Sequence, residues 1–385
     1  MPEIYLDNSA TTCLHQEVAA LICQVQEHTY GNPSSLHEKG IEAERLILEA
    51  RRRIARQMIS NQAEIIFTSG GTEANNLAII GAARRNRNKG RHLITSVSEH
   101  PSVLYCFRAL EKEGFQVTYL PVDKTGTVNL DALTDSIRPD SILLSIMHVN
   151  NEIGTIQPLQ VIGQRLKSKN PSALFHVDAV QSFTKLPLDC QEWQADLITL
   201  SSHKIHGPKG AGCLWVKQGS LLEPITHGGG QEKGLRSGTE NTAAIAGFGL
   251  AAELSGTDLS GKMAILNGLK TAFLQEITNS AITFTLNGPP AKLGAPHILN
   301  LAFPGIRAEV LLHSLEEKGI FVSAGSACHS RHPEPSHVLK AIGLSKKDLE
   351  GSIRFSFSIY NRESEVLRAA RETASTVTKL LSLLN

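Results

Sequence analysis

This sequence predicts an α/β fold, with a large domain on a mostly parallel, doubly wound sheet and a smaller α+β domain. Three observations carry that expectation. From about residue 64 to 216, short apolar runs rich in β-branched residues alternate with helical patterns, the rhythm of a sheet covered by helices. Several of those runs are too uniformly apolar to be half-exposed strands. The chain also has 385 residues, beyond the roughly 250–300 at which a single core stops growing.

The clearest strands are Ile65-Ile66-Phe67-Thr68, His92-Leu93-Ile94-Thr95, Ile142-Leu143-Leu144-Ser145-Ile146, Leu174-Phe175-His176-Val177 and Leu197-Ile198-Thr199-Leu200. A sheet of this type collects its ligand outside the carboxyl ends of its strands. Polar residues fall at those ends: Gly70-Gly71-Thr72-Glu73, Ser98-Glu99-His100, His148-Val149-Asn150-Asn151, Asp178, and Ser201-Ser202-His203-Lys204. Parallel strands would bring all five sets to one rim. After about Ser255 the pattern changes to a helix over Leu259 to Ser280, then strands at His297–Phe303, Ile320–Ser323 and Ser352–Ser358. Between them lies an amphipathic stretch, Val310 to Leu315, with Gly319 as its C-cap, and a helix from Glu363 to Leu384 closes the chain. The expected domains are therefore 16–254, and 1–15 together with 255–385.

Composition narrows the function classes. A net charge of +1 with 19% charged residues gives no basic field for nucleic acid or a membrane surface. Arg51-Arg52-Arg53 and the cluster Arg84, Arg85, Arg87, Lys89 and Arg91 read as solvated helix ends. The chain opens on strand-like Ile4-Tyr5-Leu6-Asp7 with no charged and apolar leader, and no apolar run reaches the length of a membrane helix. Six scattered cysteines without a C-x-x-C suit a reduced, cytoplasmic protein. Cys213, in an apolar run, reads as a buried thiol.

Three segments suggest chemistry. Gly70-Gly71-Thr72 after a strand offers backbone N–H groups and a positive helix end to an anion, or is an ordinary strand–helix turn. It is neither a G-x-G-x-x-G nor a Walker loop, which disfavours dinucleotides and nucleoside triphosphates. Asp178 after an apolar strand can hold a protonated heteroaromatic nitrogen or cap a helix. Lys204, after a buried strand and before a Gly/Pro-punctuated turn, can be the desolvated amine that a Schiff base needs.

Together, His203-Lys204, Asp178-Ala179-Val180-Gln181, Gly71-Thr72-Glu73 and Arg236-Ser237-Gly238-Thr239-Glu240-Asn241 resemble the class V aminotransferases, and among them the cysteine desulfurases. The resemblance extends from Tyr5-Leu6-Asp7-Asn8-Ser9-Ala10-Thr11-Thr12 through Gly31-Asn32-Pro33-Ser34-Ser35 to Ser352-Ile353-Arg354-Phe355-Ser356. It implies the fold type I, aspartate-aminotransferase-like architecture and pyridoxal 5'-phosphate as cofactor. By the same resemblance Lys204 carries the cofactor and serves as base at the substrate α-carbon. Asp178 pairs with the pyridinium nitrogen, Gln181 with the phenolic oxygen, and His100 stacks on the ring and moves protons. Gly71, Thr72, Ser201 and His203 receive the phosphate, and Thr239 reaches the phosphate of a neighbouring protomer, which implies a homodimer. Arg354, aided by Asn151, binds the substrate carboxylate; read alone, Arg354 would be a surface ion pair on an edge strand.

One segment selects the reaction. Ser323-Ala324-Gly325-Ser326-Ala327-Cys328-His329-Ser330 resembles the desulfurase loop whose cysteine takes sulfur from L-cysteine as a persulfide and leaves L-alanine, a task for the thiolate. His329, His332 and His337 crowd Cys328, where most relatives carry a small or hydroxyl residue directly after the cysteine, but their spacing fits no structural zinc pattern, so no metal is expected. The Ala-Cys-His-Ser wording also resembles selenocysteine lyases, the runner-up. A scaffold that kept the fold, lost the chemistry and binds a sulfur-transfer partner is the non-enzyme alternative. The chain stops at Leu384-Asn385, without the extended tail that some desulfurases use to dock an iron–sulfur scaffold. A sulfur-acceptor protein is implied; its identity is not.

Overall fold

The computed structural model describes residues 3–58, 64–324 and 335–383; Cys328, His329, His332, Leu384 and Asn385 lie outside them. In chain order the strands are β1 (Ile4–Tyr5), β2 (Glu64–Thr68), β3 (His92–Ser96), β4 (Gln116–Leu120), β5 (Ser141–Met147), β6 (Leu174–Asp178) and β7 (Leu197–Ser201). They continue with β8 (Gly212–Val216), β9 (Thr285–Leu286), β10 (Ile298–Ala302), β11 (Ile320–Phe321), β12 (Ser323–Ala324) and β13 (Ser352–Ser356). Four helices of the first half are used below: α1 (Gln16–His28), α2 (Glu38–Arg56), α3 (Gly71–Asn86) and α4 (Pro101–Lys112).

The large sheet has the order β2-β8-β7-β6-β5-β3-β4. The neighbours β7-β6-β5-β3-β4 pair in parallel, whereas β8 runs antiparallel to both β7 and β2. Two reversals restore the direction, so β2 points the same way as β7, and all five predicted strands end at one rim. Residues of β3, β5 and β7 are buried throughout, which accounts for their uninterrupted apolar character. The edge strand β4 has an exposed and partly exposed start and gave a weaker signal.

Separate cores underlie the two halves. One face of the sheet packs with Val18, Ile47, Ile54 and Phe248 from helices, and the other with Leu77, Ile79, Phe107 and Leu110. A further core joins Ile4 and Leu6 to residues between Leu266 and Val377. Its four-stranded sheet has the order β12-β13-β10-β9, all antiparallel, while β1 pairs in parallel with β11.

Four readings change. The single strand expected over Ile320–Ser323 divides at Val322 into β11 and β12, which belong to different sheets. The helix Ala308–Glu316 is capped at Glu317, and Gly319 (φ 73°) instead makes the left-handed turn into β11. Arg354 sits on β13, an interior strand, and is buried. Arg51 is no solvated helix end: its guanidinium forks onto buried Glu232 at 2.8 and 3.1 Å, and Glu232 also accepts from the Phe67 amide at 2.8 Å. That pair ties α2, β2 and the 226–241 loop together.

Candidate active site

The rim of the large sheet meets the smaller half around a cavity of about 940 Å³. Its walls contain Gly71, Thr72, His100, Asn151, Asp178, Gln181, Ser201, His203, Lys204 and Arg354. Ten of the predicted site residues thus converge although they span most of the chain. Thr239 does not join them: it is exposed and outside this cavity. Cys328 lies outside the described residues, and Ser323-Ala324 and Pro335-Ser336-His337, the nearest described residues on either side of it in sequence, line the cavity.

Each side chain is set by its element. Helix α3 begins at Gly71, after Ser69 and Gly70 close β2, and Gly71 and Thr72 line the cavity, which places the helix's free amides and positive end at the site. A Cβ on Gly71 would stand 2.9 Å from Val180 Cγ2 and 3.5 Å from Ser201 Cβ, so only glycine leaves that corner open. Asp178 closes β6; its Oδ1 accepts from the Val180 amide at 3.0 Å, and its Oδ2 accepts from Asn75 Nδ2 at 2.8 Å. Asn75 Nδ2 also donates to Ser102 Oγ at 2.8 Å, and Ser102 Oγ lies 2.7 Å from His100 Nδ1. Asn75 and Ser102 therefore tie the carboxylate to the imidazole. Neither was expected from the sequence, although Asn75, four residues after Gly71, shares its helix face. His100 caps α4 by accepting from the Ser102 amide. Burial draws His100 below the ordinary imidazole value; Lys204 and His337 act in the same direction and Asp178 opposes them.

Lys204 follows β7 in a single 3-10 turn. Its Nζ donates to the carbonyls of Ser9 (2.5 Å) and Ala10 (2.6 Å), and Gln181 Nε2 donates to the same Ser9 carbonyl at 3.0 Å. Thr12 Oγ1 donates to the His203 carbonyl at 2.9 Å, and Thr11 Oγ1 lies 3.2 Å from His203 Nδ1. Burial and neighbouring lysines bring His203 down to about 4, which leaves its ring uncharged at neutral pH. On the far wall, Arg354 donates to the Asn151 carbonyl at 3.0 Å and to Asp7 Oδ1 at 2.7 Å. Glu152, whose carboxyl is raised by burial, accepts from Ser336 Oγ at 2.5 Å.

Several buried polar atoms at these walls have no partner among the described residues: Ser201 Oγ, Gln181 Oε1, Asn75 Oδ1 and Arg354 Nε. Buried polar groups are seldom left unpaired, and a polar ligand would satisfy them. The donor set suits pyridoxal phosphate: an amine for its aldehyde, a carboxylate for its pyridine nitrogen, an imidazole beside the ring, and a helix start with a hydroxyl for its phosphate.

The model of one known family, aminotransferase class-V, matches residues 4–368. This chain belongs to that family. It is 43% identical over 364 residues to the cysteine desulfurase IscS of Dictyoglomus turgidum, which covers 94% of this chain and 92% of the relative. Among solved structures it resembles a NifS-like protein, with a TM-score of 0.92 and 35% identity over 98% of this chain and all of the other. It also resembles SspA in complex with cysteine, with a TM-score of 0.81 and 36% identity over 93% of this chain and all of SspA. The family shares the aminotransferase-like α/β fold and depends on pyridoxal phosphate.

Proposed function

We propose that this chain is a pyridoxal-phosphate-dependent cysteine desulfurase that converts L-cysteine to L-alanine and passes the sulfur to Cys328. The observation that carries the reading is the meeting of Lys204, Asp178, His100 and Arg354 in one cavity, the groups that such a reaction needs. The names of the relatives point the same way, as does the cysteine held by SspA.

Lys204 would hold the cofactor, Asp178 its ring nitrogen, Gln181 its phenolic oxygen, and Gly71, Thr72, Ser201 and His203 its phosphate. When bound, pyridoxal phosphate supplies an electron sink for charge developing at the α-carbon of an amino acid. Arg354, with Asn151, orients the substrate by its carboxylate. Lys204 takes the proton from the α-carbon, and His100, uncharged at neutral pH, is able to accept and return a proton. The thiolate of Cys328 then attacks the substrate sulfur. The Cβ–S bond breaks, an S–S bond forms on Cys328, and L-alanine leaves, so that cysteine and thiol become alanine and persulfide with no other reactant.

The oligomer we read is a homodimer. Thr239 is exposed and lies outside its own chain's cavity, which supports a role for this loop at a partner's site. We further read the protein as cytoplasmic, organised in the domains 16–254 and 1–15 with 255–385, and supplying an acceptor protein in iron–sulfur cluster assembly or thiolation. Among the described residues no helix is long and apolar enough to cross a membrane.

The test is alanine release from L-cysteine and from L-selenocysteine by wild type and by Lys204→Ala. The reading expects turnover of cysteine that disappears in the variant. Turnover of selenocysteine alone would reassign the chain as a selenocysteine lyase, and a protein that takes up no cofactor would support the scaffold alternative.

A further inference from the structure

We infer that Asp7 is a positioning residue for Arg354, and that it fixes how strongly this site demands an α-carboxylate on its substrate. The inference rests on the reading of Arg354 as the carboxylate anchor. Arg354 lies on interior strand β13, is 8% exposed, and has no other carboxylate bonded to it among the described residues. Asp7 Oδ1 accepts from Nη2 at 2.7 Å, and the Asn151 carbonyl accepts from Nη1 at 3.0 Å. Each terminal nitrogen is thus held from one side. A guanidinium has five N–H donors, so three remain, and one of them, on Nε, is buried with no partner among the described residues. Asp7 therefore leaves hydrogen-bonding capacity for an incoming carboxylate.

A buried guanidinium without a counter-charge is costly and tends to swing toward water. Asp7 supplies that charge from a fixed place. Its backbone bridges to Ser356, two residues along from Arg354, and the Ser9 amide donates to Ser356 Oγ at 2.9 Å. The same short segment presents the Ser9 and Ala10 carbonyls to Lys204. Asp7 is thus tied both to the strand of the arginine it orients and to the segment that receives the lysine.

The experiment uses the cofactor-loaded protein and two fragments of cysteine as probes: 3-mercaptopropionate, which keeps the carboxylate, and cysteamine, which keeps the amine. Calorimetry measures their binding to wild type, Asp7→Asn and Asp7→Ala, whether or not the protein turns cysteine over. Expected is about a tenfold loss of 3-mercaptopropionate affinity in Asp7→Ala and a smaller loss in Asp7→Asn, which keeps an acceptor oxygen, with cysteamine binding nearly unchanged and a thermal midpoint lowered in both variants by the loss of the counter-charge. In turnover, KM for L-cysteine should rise by a similar factor while kcat stays within about twofold. Equal or tighter binding of 3-mercaptopropionate by Asp7→Ala would overturn the inference, as would parallel loss of both probes. Wild type binding neither probe would remove Arg354 as an anchor and the inference with it. Failure of wild type to release alanine, with the probe pattern intact, would count against the desulfurase reading alone.

Discussion

His100, Ser102, Asn75 and Asp178 form an unbroken line of hydrogen bonds across the cavity wall. Asn75 donates to both partners from one amide nitrogen, so its side chain is fixed between an acceptor hydroxyl and an acceptor carboxylate. An amide in that place donates to the Asp178 carboxylate without bringing a counter-charge, and holds the imidazole partner of Ser102 in register. Because burial lowers the proton affinity of His100, the ring stays uncharged from neutrality down to a pH below the ordinary imidazole value, and the acid limb of activity that it governs should lie there. Replacing His100 with Ala should cost about 10²–10⁴ in kcat, the range for a lost proton-transfer group. Asn75→Ala should cost less in rate and should shift that acid limb, because the tie between ring and carboxylate is gone. A pH–rate profile of the two variants checks both statements; an unshifted limb in Asn75→Ala would detach Asn75 from the chemistry.

At the scale of elements, the site exists because β2, β3, β5, β6 and β7 all end on one rim, and α3 starts there with no side chain at its first residue. Alanine at Gly71 would press its Cβ to 2.9 Å from Val180 Cγ2, and crowding of that kind costs about 1–3 kcal/mol. Gly71→Ala should therefore weaken cofactor retention by roughly tenfold or more while the fold persists, as measured by cofactor uptake of the apoprotein against its melting temperature. These elements were legible because their signals are local: apolar runs, then Gly-Gly-Thr, Asp178 or His203-Lys204 at each run's end. What was not legible depends on long-range pairing. The antiparallel insertion of β8 between β2 and β7 leaves no mark in its own apolar residues. The break at Val322 depends on which sheet each half joins. Nothing near Arg51 in sequence announces Glu232, and nothing near Arg354 announces Asp7, 347 residues away. Cys328 was legible only as a motif, and it lies outside the described residues.

At the scale of the molecule, the N-terminal segment belongs to the core of the C-terminal half through Ile4 and Leu6, yet binds Lys204 and His203 of the large sheet. Near Lys204 lies Lys185, a half-buried residue whose Nζ is itself buried with no partner among the described residues. Burial, with the charge of Lys204 adding to it, brings this amine from 10.5 to about 7. The folded state thus binds its proton less readily than the unfolded chain does. Between about 7 and 10.5 the unfolded chain holds more protons, so this group's contribution makes stability rise with pH across that window and leaves a penalty of several kcal/mol at neutrality. Lys185→Met, which keeps the volume without the charge, should raise the denaturant midpoint at neutral pH, by a margin that shrinks as the pH approaches 10.5. A gain independent of pH would contradict this assignment.

The central claim concerns where the sulfur goes. The most direct measurement gives the cofactor-loaded protein less than one equivalent of L-cysteine and locates the added sulfur by mass spectrometry of its peptides, in wild type and Cys328→Ala. Expected is one extra sulfur on the Cys328 peptide, matched by the alanine released, and none on any peptide of the variant, which still binds cofactor and substrate. Full sulfide release by Cys328→Ala, or extra sulfur on a different cysteine, would contradict it.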